Sequence, residues 1–156
     1  MERLDYIIND IKIKGLSDNT EMEAKTLIIE GLSEYFANYN GNKNLDLNNL
    51  MQNYIGKGET FLIGLYEDDL ICTGGLIEED RYTGRIVRMS VKKEYRRKGV
   101  ATVILKGLEK VAKEKGYNKI VLETTEGWSK AINLYKKNGY TESKRIEGNV
   151  HLVKKL

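Results

Sequence analysis

Residues 85 to 115 constrain this chain more than any other stretch. Arg85 to Val91 alternates apolar and polar side chains, as a half-buried strand does. A cationic turn follows, from Lys92 through Arg96, Arg97 and Lys98, and then Gly99. From Gly99 to about Lys115 the apolar residues Val100, Ile104, Leu108 and Val111 recur at helical spacing. A strand, a glycine-bearing turn and a helix start together make an anion cradle. The first N–H groups of a helix have no partner within it and carry partial positive charge. Arg96, Arg97 and Lys98 add full charges, Thr102 adds a hydroxyl, and Gly99, lacking a Cβ, lets a ligand approach the backbone. The element is suited to a diphosphate. Two familiar nucleotide sites are excluded. No Gly-x-x-x-x-Gly-Lys-Ser/Thr run is present, and Gly56-Lys57-Gly58 continues into Phe61 where a dinucleotide fingerprint needs glycine.

A chain of 156 residues with 40% apolar and 31% charged residues suits one domain, here residues 1–156, with one core. No apolar run approaches the roughly 20 residues of a membrane span, and Met1 to Lys14 has mixed charge rather than a leader's apolar segment. One cysteine excludes an intrachain disulfide, and one cysteine with one histidine makes a Cys/His zinc site implausible, so no metal is expected. Cys72, flanked by Ile71 and Thr73, reads as a buried, inert strand thiol, and a reducing cytoplasm is the natural setting. The net charge of +3 is unevenly spread: residues 84–119 hold twelve Lys/Arg against three Glu, and residues 1–56 hold five against nine Asp/Glu. The basic half suits an anionic ligand.

Proline is absent, so glycine and asparagine punctuate the chain. A strand is expected over Tyr6 to Lys14, and Thr20 with Glu23 fits a capping box at a helix start. Ile28, Leu32, Tyr35, Phe36 and Tyr39 then share one buried face. Asn38 to Asn44 is a loop and Leu45 to Ile55 a weaker helix. Phe61 to Tyr66 and Leu70 to Glu78 flank a hairpin turn at Glu67-Asp68-Asp69, and Arg81 to Gly84 turns into the strand Arg85 to Val91. Gly116 caps the long helix. Ile120 to Thr124 is a buried strand, Trp128 to Asn138 a helix ended by Gly139, and Tyr140 to Ile146 and Asn149 to Val153 close the chain as paired strands. The order β-α-α-β-β-β-α-β-α-β-β is a mixed-sheet α/β (α+β) domain.

That order and two motifs resemble the GNAT superfamily of acyl-CoA N-acyltransferases. Arg96-Arg97-Lys98-Gly99-Val100-Ala101 fits the family's Arg/Gln-x-x-Gly-x-Gly/Ala signature for the diphosphate of acetyl-CoA. Ala131-Ile132-Asn133-Leu134-Tyr135-Lys136-Lys137-Asn138-Gly139-Tyr140 fits Ala-x-x-Leu-Tyr-x-x-x-Gly-Phe/Tyr. The resemblance runs from about Thr60 to Ser143 and is weak over the first 55 residues, where the family builds acceptor specificity. It implies that Met89, Ser90 and Val91 offer main-chain groups to the pantetheine arm. Arg96, Arg97, Lys98, Gly99, Val100, Ala101 and Thr102 then hold the diphosphate, and Tyr135 protonates the departing thiolate. It also implies acetyl-CoA as co-substrate, an amine acceptor, and the homodimers common in the family.

Two positions depart from the pattern. Arg85 stands near where many members carry a basic carboxylate on the fourth strand, and Trp128 stands where many have asparagine. Trp128 is either a packing residue or a wall of the acceptor pocket. A lysine-like amine, with pKa near 10.4, costs about 4 kcal/mol to neutralise near neutral pH, so a base matters. Glu123 is the first candidate; Glu78, Glu79 and a water chain are alternatives. His151 reads as an ordinary strand residue, and Tyr35, Tyr39 and Tyr54 are either core or acceptor-pocket residues. The competing functions are an acyl-CoA-binding module without catalysis and, much less favoured, nucleic-acid binding, for which the basic stretch offers only Tyr95 and Tyr117 to stack on bases.

Overall fold

The computed structural model describes residues 7–36, 39 and 44–156, and it places seven strands in one mixed sheet. In chain order the elements are β1 (Lys12–Gly15), α1 (Glu21–Ser33), α2 (Leu50–Asn53), β2 (Thr60–Tyr66), β3 (Asp69–Asp80), β4 (Thr83–Val91), α3 (Val100–Glu114), β5 (Lys119–Thr125), α4 (Ser129–Lys137), β6 (Thr141–Ile146) and β7 (Asn149–Lys155). The strands lie side by side as β1-β2-β3-β4-β5-β7-β6. No described helix is long and apolar enough to cross a membrane.

Two hairpins build the first half. Glu67 and Asp68, both at positive φ (48° and 66°), make the tight β2–β3 turn, whose twist matches the flanking strands. The β3–β4 pairing carries a bulge: Thr73 pairs with Ser90 but Gly75 with Val87, so Arg88 and Met89 face Gly74 together. Arg88 takes a left-handed φ of 55°, and the Thr73 hydroxyl donates to its carbonyl oxygen at 2.8 Å. A bulge flips the face on which the following side chains emerge. Arg88 therefore looks toward α1 and α2, while Met89 packs against the α3 side.

β4 and β5 are joined through the crossover helix α3. They pair in parallel over three positions only, Thr83–Arg85 against Lys119–Val121, and then part. Beyond that seam β4 keeps its partner β3 and β5 keeps β7. The sheet is forked there, and the fork is where the candidate site lies.

Each face of the sheet has its own core. Val100, Ile104, Leu105, Leu108 and Ala112 recur at three- and four-residue intervals on α3, and all are at most 1% exposed. They pack with Ile86, Ile120, Leu122, Ile132 and Leu152. On the other face Ala24, Leu27 and Ile28 of α1 meet Leu47, Leu50, Phe61, Ile63 and Leu70. One buried carboxylate crosses the α3 core. Glu109 accepts from the Tyr140 hydroxyl at 2.8 Å and from Lys154 Nζ at 3.2 Å, so its charge is paired and its oxygens are bonded.

Several local expectations give way. Of the strand expected over Tyr6 to Lys14, Tyr6 lies outside the described residues. Residues 7–9 form a helical turn closed by Asp10 N–H to Ile7 O, and pairing begins at Lys12. Thr20 does precede α1 but forms no capping box; its hydroxyl accepts from Ser17 N–H at 3.0 Å instead. That local bond competes with capping, as threonine commonly allows. The helix expected over Leu45 to Ile55 is broken at Asn49 into a 3₁₀ turn (Leu45–Asn48), α2 and a second 3₁₀ turn (Ile55–Lys57). The Asn49 side chain accepts from Gln52 N–H at 2.9 Å and so starts α2 afresh. Most of the loop expected at Asn38 to Asn44 lies outside the described residues. The buried stripe ends early: Ile28 is 2% exposed, but Tyr35 and Phe36, past the end of α1, are 57% and 49% exposed.

Candidate active site

The fork opens into a cleft of about 900 Å³. One end is the β4–α3 turn, the floor is β4 beyond its bulge, and the other end is closed by Glu123 of β5 and Tyr135 of α4. Leu32 near the end of α1 and Tyr35 just past it, with Trp128 before α4, form its rim. Tyr35 lies against Trp128 with ring centroids 4.2 Å apart, so Trp128 is a wall of the cleft.

At the turn the backbone leaves the first donors of α3 without partners among the described residues. Arg97 and Gly99 both take left-handed conformations (φ 61° and 81°), and α3 starts at Val100 with no side-chain cap. The first intrahelical bond runs from Val103 N–H to Gly99 O, so the N–H groups of Val100, Ala101 and Thr102 have no acceptor among the described residues. Successive N–H groups in such a turn form a concave anion site. The side chains behave less simply. Arg96 donates to Val91 O at 3.0 Å and to the Glu34 carboxylate at 2.7 Å. Lys98 folds back to Glu94 O at 2.8 Å, and the Thr102 hydroxyl accepts from Asn138 at 3.3 Å. Among the described residues only Arg97 of the three cations has no protein partner. The space where a Gly99 Cβ would project is filled by Ile8, whose Cδ1 would lie 2.9 Å from it. In that direction it is the protein, not a ligand, that uses the missing side chain.

Met89, Ser90 and Val91 line the cleft between the bulge and the turn. Tyr135 is 7% exposed, packed edge-on against Tyr140 at 5.8 Å. Its hydroxyl makes no hydrogen bond among the described residues, yet it is not a sealed orphan, because the residue lines the open cleft. Burial pushes its pKa up, which keeps the phenol protonated through the physiological range.

Glu123 faces the fork and pairs across the sheet with His151, Nε2 to Oε2 at 3.3 Å. His151 is thus the neighbour of the first candidate base, which its place in an alternating strand did not disclose. Glu78 and Glu79 line neither the cleft nor its annex. The Glu79 carboxylate holds Arg85, and the Glu78 backbone N–H donates to the Glu59 carboxylate at 2.7 Å. Cys72 is fully buried, and burial pushes its thiol up to about 12.

A second hollow of about 360 Å³ opens from the cleft toward α2. Sequence reasoning missed its main feature, an ion pair between residues 42 apart. Arg88, re-aimed by the bulge, binds Asp46 through Nε and Nη2 at 2.8 and 2.7 Å, while Tyr54 donates to Asp46 at 2.7 Å. Burial alone would raise the Asp46 pKa; the bonds from Arg88 and Tyr54 outweigh it and hold the carboxyl below its usual value. Burial and then the same carboxylate push the Tyr54 phenol up. Tyr54 is therefore both core and pocket: its ring is 6% exposed and its hydroxyl orders the hollow.

Comparison with known proteins agrees with this geometry. Residues 27–140 match the profile of the Acetyltransferase (GNAT) family. The protein named Probable N-acetyltransferase 14 of Xenopus tropicalis is 42% identical over 80 residues, covering 50% of this chain and 39% of that one. The chain thus spans well under half of that relative's length. A GNAT-family acetyltransferase of Staphylococcus aureus Mu50 superimposes with a TM-score of 0.84 at 24% identity, covering 94% of this chain and 99% of that one. The PaiA N-acetyltransferase of Thermoplasma acidophilum, solved in complex with coenzyme A, superimposes with a TM-score of 0.78 at 20% identity, over 94% and 99% of the two chains. At these identities the superpositions show a shared fold.

Proposed function

Because the chain belongs to the GNAT acetyltransferase family, we propose that it is an N-acetyltransferase that passes the acetyl group of acetyl-CoA directly to an amine held in the same cleft. The observation that carries this reading is the pairing, in one cleft, of an uncapped helix start with a tyrosine whose ring is buried and whose hydroxyl is unbonded. The first N–H groups of α3 hold the diphosphate, with Arg97 beside them. Main-chain groups of Met89, Ser90 and Val91 line the path of the pantetheine arm. Acetyl-CoA supplies an activated acyl group as its thioester.

The chain's residues manage the protons. The acceptor arrives as an ammonium and gives a proton to Glu123, freeing the lone pair that attacks the acyl carbon. The C–S bond breaks, and Tyr135 donates its proton to the leaving thiolate. The tyrosinate regains a proton from the amide nitrogen being formed, through solvent, and Glu123 releases the proton it took to solvent. Such acid–base help is worth about 10²- to 10⁴-fold. Cys72, buried and held as a thiol, offers no covalent route.

The test is an acceptor screen with acetyl-CoA, read by free thiol release, beside calorimetry with coenzyme A. Transfer to an amine is the expected result. Arg85, in place of a carboxylate, favours a second reading, an acyl-CoA-binding module without turnover; coenzyme A binding with no transfer to any amine would establish it. Absence of coenzyme A binding would sink both.

A further inference from the structure

The hollow beside the cleft has a charge pattern that selects among amines. Ile86, Val87, Arg88 and Glu123 line both spaces, so a molecule in the hollow reaches the thioester across them. Four charged side chains line it: Asp46, Arg85, Arg88 and Glu123. Arg88 and Asp46 cancel each other through two short bonds. Arg85 and Glu123 hold partners that do not line the hollow, Glu79 and His151, so each turns only its remaining polar edge to the hollow. Arg85 is paired with Val121 in the β4–β5 seam, and Glu123 lies two residues further along β5. Residues at even spacing share a face, so the cation and the anion stand on the same side of the sheet. Arg85 gives its Nε–Nη2 edge to Glu79 in a partly exposed pair, and its Nη1 has no partner among the described residues.

We infer that this hollow is the acceptor pocket and that its acceptor is a free α-amino acid, with the carboxylate on Arg85 and the amine facing Glu123. The inference rests on the N-acetyltransferase reading of the cleft. A zwitterion matches a cation and an anion on neighbouring strands. A simple alkylamine leaves the free Arg85 edge without an anion, and a polyamine sets a second positive charge against it. The amide of a peptide N-terminus offers Arg85 a neutral oxygen in place of a carboxylate, a weaker acceptor for a guanidinium.

The experiment offers the full chain acetyl-CoA and a panel of α-amino acids, each alongside its carboxamide and its decarboxylated amine, and measures thiol release. The expected result is a kcat/KM for the acid at least about tenfold above its amide, carried mainly by KM, as loss of a charged hydrogen bond produces. Arg85→Gln should reduce that preference to near unity, and Arg85→Lys, which keeps charge without the fork, should restore part of it. Melting curves confirm that both variants are folded. Amides or simple amines used as well as the acids overturn the inference, as does an Arg85→Gln variant that slows acid and amide alike. Acetylation confined to peptide N-termini or alkylamines removes this inference and leaves the N-acetyltransferase reading standing. Coenzyme A binding with no acetylated amine of any kind removes both.

Discussion

The two sides of the cleft are made differently. The side proposed to face the diphosphate, from Thr83 to Tyr140, is a contiguous run of strand, turn, helix, strand and helix whose free donors are main-chain N–H groups. The side toward the hollow is assembled from residues far apart in sequence: Asp46 with Arg88, and Glu21, whose carboxylate takes Met51 N–H at 2.9 Å. A main-chain site depends on dihedral angles that local sequence sets, so it is insensitive to most substitutions. A site of paired side chains changes with any one of them. On the proposed reading, the cofactor side is therefore the fixed part of this molecule and the acceptor side the adjustable part.

Four substitutions separate the two. The largest effect is expected for Tyr135→Phe: kcat should fall about 10²- to 10⁴-fold while coenzyme A affinity stays near wild type, because only the proton is removed. Steady-state rates with calorimetry check this, and an unchanged kcat takes Tyr135 out of the mechanism. Next is Gly99→Val. A branched side chain at φ 81° with Ile8 in its path costs about 1–3 kcal/mol and disturbs the turn, so both melting temperature and coenzyme A affinity should drop. If affinity holds while stability falls, the turn is not the anion site.

Asp46→Asn should spare coenzyme A binding and raise acceptor KM, with a stability loss of about 1–2 kcal/mol because the pair is partly solvated. Its pH dependence has a definite sign. A carboxylate held below 3.8 in the folded state contributes fully above that pH and loses its contribution as pH falls through the lowered value. Melting curves between pH 6 and pH 3, as a span of about three units, should show wild type and Asp46→Asn converging at the acid end. The smallest effect belongs to Glu34→Gln. Removing a carboxylate that occupies Arg96 should tighten coenzyme A binding by less than about fivefold, more at low salt. Weaker binding would mean that Glu34 positions Arg96 instead of competing for it.

The same division governs what the sequence disclosed. The strands from Phe61 to Val91, the helix from Gly99 and the helix before Gly139 were legible because periodicity and glycine spacing are local signals, and they carried the two motifs with them. The bulge at Arg88 was not legible, since nothing in Arg85 to Val91 marks where the register slips. Nor was the Asp46–Arg88 pair: charge patterns do not say which of many acids and bases meet across 42 residues. Tyr35 and Phe36 followed a helical spacing that ended at Ser33, and their spacing could not show that Trp128 would receive them. Thr20 and Asn49 were overridden by bonds from their own side chains.

The three-rung seam between β4 and β5 has a consequence of its own. Past it, two strand margins face each other across open space, deep inside the molecule rather than at its perimeter, where a foreign strand could attach. The amides that point into the gap, every second one along Ile86 to Val91 and Leu122 to Thr125, should trade hydrogen for deuterium readily in the bare protein and slow down once a ligand bridges them, while their neighbours stay held by β3 and β7.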